Sequence, residues 1–190
     1  HQGAYEPSQV IMTPKQKKMI TSGMTVVIRK NVTLESELAY SSNDLNTFST
    51  LNNSDDHGYA TKNKLTGTIP LARNANSEWV LETKLELEAL ARNFNPIEQY
   101  RAVEFDRDWN TRNKGFKGNQ LATTVGANFK NALYGNFNFE GQQFLIRNDY
   151  TGKRFASTGK WLKNGLNARW NGSYLASEYD LYKKNNLQIN

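Results

Sequence analysis

From residue 19 onward, apolar and polar positions alternate with a period of two, the repeat of an extended strand whose successive side chains point to opposite faces. Met24, Val26 and Ile28 share one face. After Arg29, Lys30 and Asn31, which read as a turn, Val32, Leu34, Leu38 and Tyr40 line a face whose reverse carries Thr33, Glu35 and Glu37, which predicts a hairpin. Polar residues from Ser41 to His57 then predict a surface loop, and strand resumes near Tyr59. The clearest alternation spans Trp79 to Arg92. Trp79, Leu81, Thr83, Leu85, Leu87, Ala89 and Ala91 fall on one face, and Glu82, Lys84, Glu86, Glu88 and Arg92 on the other. Leu, Glu, Ala and Lys are good helix formers. At helical spacing, however, the leucines spread over a broad arc that Glu88 interrupts, whereas alternation accounts for all but Val80 and Leu90.

Leu121, Thr123, Val125, Ala127 and Phe129 form another such face. Beyond Lys130 and Asn131, the residues Leu133, Gly135, Phe137 and Phe139 oppose Tyr134, Asn136, Asn138 and Glu140, a second hairpin. A strand from Gln142 to Tyr150 with a turn at Thr151, Gly152 and Lys153 follows. A last hairpin is centred on Asn164-Gly165, the dipeptide that favours a tight turn. The joints Arg29-Lys30-Asn31-Val32 and Phe129-Lys130-Asn131-Ala132 echo one another as turn chemistry, without the longer match a repeat needs. The fold class expected is all-β: about eight to ten long antiparallel strands in a meander-like sheet, closed or partly closed as a barrel. Residues 1–18, with Pro7 and Pro14, read as an extended lead-in, and residues 19–190 as a single antiparallel β domain, either whole or a segment of a larger protein.

Composition sharpens this picture. Only 37% of the 190 residues are hydrophobic. A barrel wall needs apolar residues at alternate positions only, with polar ones lining its interior. Strands of 10 to 14 residues, as the alternation implies, exceed the roughly 9 to 11 needed to cross a bilayer. Trp79, Trp109, Tyr134, Trp161, Trp170 and Tyr174 fall near strand ends, where aromatic girdles sit. Two features point the other way. Lys62 and Lys64 interrupt a stretch with Thr61 and Asn63, and the last residues, Leu187 to Asn190, lack the terminal aromatic of many bacterial barrel strands. The chain has no Cys, which excludes disulfides, thiolate metal sites and cysteine nucleophiles, and its two His cannot form a conventional zinc cluster by themselves. Lys and Arg total 24 against 18 Asp and Glu, a net charge of +6, but the two signs are interleaved. The chain therefore lacks the basic stripe of a nucleic-acid surface.

The densest polar run is Tyr100-Arg101-Ala102-Val103-Glu104-Phe105-Asp106-Arg107-Asp108-Trp109. As a strand, it sets Glu104, Asp106 and Asp108 on one face and Arg101, Val103, Phe105, Arg107 and Trp109 on the other. Neighbouring carboxylates would then be roughly 6.5–7 Å apart, a spacing compatible with a glycosidase acid and base. A ladder of opposite charges across a polar wall explains them more simply. Tyr100, Arg107 and Trp109 are also candidates for stacking a sugar. The loop Asn52 to Asp56 offers oxygen ligands but lacks calcium-loop spacing. His57 has no Ser or Cys elbow beside it, and Gly115, Gly118 and Gly152 precede no phosphate-binding helix. No cofactor or metal motif emerges, and no residue is assigned a catalytic role. Asn31-Val32-Thr33, Asn52-Asn53-Ser54 and Asn171-Gly172-Ser173 match an acceptor pattern for N-glycosylation, which carries meaning only in a secreted eukaryotic chain.

The phrases Tyr40-Ser41-Ser42-Asn43-Asp44-Leu45-Asn46-Thr47-Phe48-Ser49, Val103 to Trp109, and Asn148-Asp149-Tyr150-Thr151-Gly152-Lys153-Arg154 resemble the long β-strand regions of large cell-envelope proteins from Bacteroidetes-type bacteria. The resemblance extends loosely over positions 20 to 175. It implies an outer-membrane or cell-surface location, with lipid or other envelope proteins as partners, and it assigns no catalytic residue. The expectation is thus a non-enzymatic barrel or surface-sheet protein with a structural, transport or secretion-related role. The alternatives are a soluble glycan-binding β module using Trp109, Arg107, Tyr100 and Trp79, and a carboxylate-dependent glycoside hydrolase.

Overall fold

The computed structural model describes residues 13–49, 53–74, 77–163, 166–179 and 186–189. Strands run up and down in strict chain order: β1 (Gln16–Arg29), β2 (Val32–Asp44), β3 (His57–Asn74), β4 (Ser77–Leu90), β5 (Gln120–Asn131), β6 (Gly135–Ile146), β7 (Tyr150–Lys163), β8 (Leu166–Tyr179) and the short β9 (Asn186–Ile189). Each pairs antiparallel with its chain neighbours in one sheet of order β1 to β9. Among the described residues β1 and β9 do not pair with each other, so the sheet is open. The all-β meander expected from the alternation is therefore present. The β4 segment is a strand in spite of its helix-forming composition, because each face of it meets matching neighbours on β3 and β5.

Four expectations need correction. Tyr100 to Trp109 is not a strand: it lies within the long connection 91–119 and contains the single helical turn α1 (Phe105–Asp108). Ser41 to Asp44 continue β2 instead of opening a loop, since Ser41 and Ser42 still pair with Gly58 and His57. The turn after β6 is at 147–149, where Asn148 takes a left-handed φ of 67°, and Thr151, Gly152 and Lys153 belong to β7. The lead-in is shorter than drawn, because β1 begins at Gln16; residues 1–12, including His1, lie outside the described residues, as do Asn52, Asn164 and Gly165. The two echoing joints also differ. Arg29 pairs with Val32 around Lys30 and Asn31, whereas Lys130 and Asn131 still belong to β5.

Residues paired across strands share a face, so the register divides the sheet into two surfaces. One carries Leu34, Leu38, Tyr59, Leu65, Ile69, Leu81, Leu85, Val125, Phe139, Phe155 and Tyr174. On this face no Asp, Glu, Lys or Arg occurs between Val32 and Ser42, Tyr59 and Ile69, Trp79 and Ala89, Leu121 and Phe129, or Gly135 and Leu145. Lys62 and Lys64 do not interrupt it, because they point to the other face. Thr61 and Asn63 do lie on the apolar side, where Ser36 donates to Asn63 (2.7 Å) and Asn63 donates to Thr61 (3.1 Å), so their polar atoms satisfy one another. On the first face charges occur only outside those stretches, as at Lys18, Lys153 and Glu178, whereas the opposite face holds cross-strand ion pairs: Lys64–Glu35, Lys62–Glu86, Lys84–Glu140 and Lys130–Glu82, at 2.7–3.2 Å. Lys84 and Glu140 stand on β4 and β6 and meet over Gly126 of β5. A ladder of opposite charges thus exists, but it is built from the strands and not from residues 100–109.

Connections are unequal at the two ends. At one end the strands join through residues 30–31, 75–76, 132–134 and 164–165; at the other lie 45–56 and 91–119 together with the tight turn 147–149. The connection 91–119 folds back over the polar face. Trp109 and Phe105 pack there on Phe144, and a small core forms with Ile146, Tyr150 and Leu175. Among the described residues no second layer covers the apolar face. The chain exposes 14190 Å², against about 9,200 Å² for a compact monomer of this mass.

Candidate functional site

The connection 91–119 and the polar face beneath it border a cavity of about 300 Å³. The connection is held at several points along its course. The Asn95 amide donates to the buried Ser41 hydroxyl (3.0 Å), and Lys17 donates to the Asn95 side chain and the Pro96 carbonyl. Further along, the amides of Lys117 and Gly118 donate to Asp149. Between these points the Tyr150 ring lies over Gly152, its neighbour on the same face, and its hydroxyl donates to the Trp109 carbonyl at 2.6 Å. A side chain at position 152 would meet that ring, so the glycine is what lets tyrosine reach the connection.

Arg101 is the electrostatic centre. Its Nε donates to Glu88 at 2.8 Å and its Nη1 to Gln120 at 2.6 Å, while the guanidinium lies 4.2 Å from the Phe105 ring centre and 5.1 Å from that of Phe144. Both charged side chains are mostly buried, at 15% and 13% exposure. Removing one partner of such a pair strands the other charge out of water. Arg101→Met should therefore destabilise the docked connection by about 2–3 kcal/mol, less than for a fully buried pair because some solvent still reaches Glu88. Denaturant unfolding measures the loss, and the double variant Arg101→Met/Glu88→Leu should recover much of it; an equal loss in the double variant would refute the ion-pair account. Burial pushes the neighbouring Tyr100 phenol up to about 12, against the pull of the Arg101 charge, so it is a neutral hydroxyl at pH 7.

The structure brings Tyr100, Arg101, Glu104, Asp108 and Trp109 to this cavity; Asp106 and Arg107 do not line it. The helical turn breaks the three-carboxylate face. Glu104 pairs with Arg107 at 2.6 Å, Asp106 accepts from Thr111, and Asp108 is held by Arg107 and by Arg154 of β7 at 3.4 Å. Glu86 and Glu88 are held by Lys62 and Arg101. Each carboxylate at the cavity thus has a cation beside it, so these acids are engaged in ion pairs. The glycan-stacking set does not converge either. Trp109 is buried in the core at 5% exposure, Arg107 is tied to acids, and Trp79 sits on the apolar face at the opposite end from the cavity.

Sequence reasoning missed the strand residues Lys62, Glu86, Glu88, Gln142 and Arg154 that line the cavity. Alternation placed Glu86 and Glu88 on a polar face, counted Lys62 against an apolar one and gave Gln142 and Arg154 no side; only the register puts all five opposite Arg101 and Asp108. His57 begins β3, stacked on Tyr40, whose hydroxyl lies 2.8 Å from His57 Nδ1. Among the described residues no group of three or more His, Cys, Asp or Glu could hold a metal ion, and no helix is long and apolar enough to cross a membrane, which leaves strand-crossing proteins untouched. No protein-family model, curated protein or solved structure matches the chain.

Proposed function

We propose that the chain forms the lipid-facing wall of a cell-envelope β-barrel, with the connection 91–119 folded over its polar side to narrow a passage. The observation that carries this reading is the partition of side chains: one face is free of charge across five strands and open to its surroundings, while the other holds the ion pairs and the docked connection. A water-soluble sheet would cover its apolar face with a second layer.

Aromatic side chains mark the two borders of the apolar band. Near the short connections, Trp79, Tyr134, Phe137, Trp161 and Trp170 form a continuous cluster with ring centres 5.2–6.3 Å apart. Trp170 covers Gly159, where any side chain would collide with the indole. At the other end Tyr40 and Tyr59 pack together, and the Ala91 amide donates to the Tyr59 carbonyl. From Trp79 to Ala91 a strand covers about 40 Å, or about 30 Å of membrane depth at the ~40–45° tilt of barrel strands, the thickness of a hydrocarbon core. Between the borders, Gly67, Thr83, Ala127, Ser157 and Gly172 line a trough of about 1140 Å³ that acyl chains can fill.

The testing measurement is light scattering with far-UV circular dichroism on the purified chain, in plain buffer and in non-ionic micelles. The expected result is a strand-rich, monodisperse protein in micelles and aggregation in buffer. A monodisperse, strand-rich protein in plain buffer would overturn the reading.

A further inference from the structure

We infer that Lys160 and Arg169 form an oxyanion-binding site on the polar face, near the short connections. The inference names a solute class for the proposed passage; only the link to a passage rests on that reading, since the site itself follows from the sheet register.

Most other cations on this face have an acidic partner: Lys62, Lys64, Lys84 and Lys130 pair with Glu86, Glu35, Glu140 and Glu82, and Arg154 with Asp108. Lys160 of β7 and Arg169 of β8 depart from that pattern. They are direct cross-strand partners, an arrangement in which like charges repel. On the polar face of β7 and β8, from Tyr150 to Leu162 and from Asn167 to Ser177, the described residues include no Asp or Glu. The neighbouring positions supply neutral donors instead. Asn136 of β6 pairs with Lys160, and Thr158 pairs with Asn171 one step further along the face. These five residues border a cavity of about 450 Å³.

A phosphate-type oxyanion meets the requirements of this group. It relieves the repulsion by placing negative charge between the two cations, and its oxygens accept charge-assisted hydrogen bonds from the ammonium and the guanidinium fork. The amide and hydroxyl side chains can donate to the remaining oxygens. A carboxylate solute fills fewer of these donors, and a cationic solute is repelled. Free phosphate and a phospholipid headgroup present the same oxygens, so the experiment separates them by source.

The test uses the full chain in non-ionic micelles, with inorganic phosphate against chloride at matched ionic strength, and phosphatidylglycerol in mixed micelles as the second probe. Calorimetry should show saturable binding of one probe, with the dissociation constant raised at least tenfold in Lys160→Gln/Arg169→Gln and less than twofold in the control Lys64→Gln. Saturation by inorganic phosphate assigns the site to a free solute, and saturation by phosphatidylglycerol alone assigns it to a headgroup. Because the double variant removes a repulsion, it should fold at least as stably as the parent while losing the rise in unfolding midpoint that the bound probe gives the parent. Failure of both probes to saturate, or equal binding by the double variant, would overturn the site. Neither result bears on whether the chain needs micelles to fold, which tests the wall reading separately.

Discussion

Val125→Arg should destabilise the sheet by about 2–4 kcal/mol in a bilayer and by no more than about 0.5 kcal/mol in water. Val125 sits on the apolar face of β5, with Leu85 directly across on β4 and Gly141 on β6. It is 57% exposed, so a long side chain meets no steric obstacle there. The cost then comes from the surroundings alone. Leu85 lies midway between Trp79 and Ala91, at the level where a lipid-facing charge is most expensive. Thr124→Arg, one residue away on the polar face and opposite Glu86, is the matched control and should change stability by less than about 1 kcal/mol. Unfolding both variants from phospholipid vesicles with denaturant gives the comparison. A large penalty at 125 with little at 124 supports lipid contact; equal small effects would place the apolar face in water.

Trp109→Ala should cost about 3–5 kcal/mol, the usual range for a buried tryptophan truncation, and the loss should fall on the connection and not on the sheet. Trp109 packs on Phe144 with ring centres 5.4 Å apart and on Phe105 at 6.2 Å, and its carbonyl takes the Tyr150 hydroxyl. These contacts anchor the middle of 91–119, while the strand ladder does not depend on them. Hydrogen exchange should therefore show residues 101–119 losing protection while β4 to β7 keep theirs, with proteolytic nicking at the exposed Lys114 or Lys117. Uniform loss of protection across the strands would mean that the connection and sheet unfold as one unit, contrary to this account.

Strand identity was legible because alternation survives any choice of partner: Glu82, Lys84, Glu86 and Glu88 fall on one side of β4 whatever lies beside it. Residues 100–109 show how the same criterion fails on a short run. Arg101, Val103 and Phe105 alternate with Glu104, Asp106 and Asp108, yet among the described residues no strand pairs with them. Breaker signals flank that run, with Asn95-Pro96 before it and Asn110, Asn113 and Gly115 after it. The last three adopt left-handed φ values of 51°, 60° and 64°. Given more weight, they mark an irregular connection. The site was less legible than the fold for a different reason. Arg101 meets Glu88, and Arg154 meets Asp108, only once the connection has turned back over the sheet, and no local pattern specifies that path. Lys160 and Arg169 become partners only through the register of β7 with β8, which alternation along either strand does not specify.

Strict chain order also governs how such a sheet can change its width over evolutionary time. Every strand pairs only with the strands before and after it, so inserting or deleting a whole hairpin leaves the remaining pairs antiparallel and their apolar side chains facing the same way. A single added strand would reverse the direction of all that follow, and its short turn would have to be replaced by a long crossover to restore the original ends. Duplication and loss in this lineage are therefore expected to proceed two strands at a time, with the short-turn end changing little while the connections at the other end accumulate length.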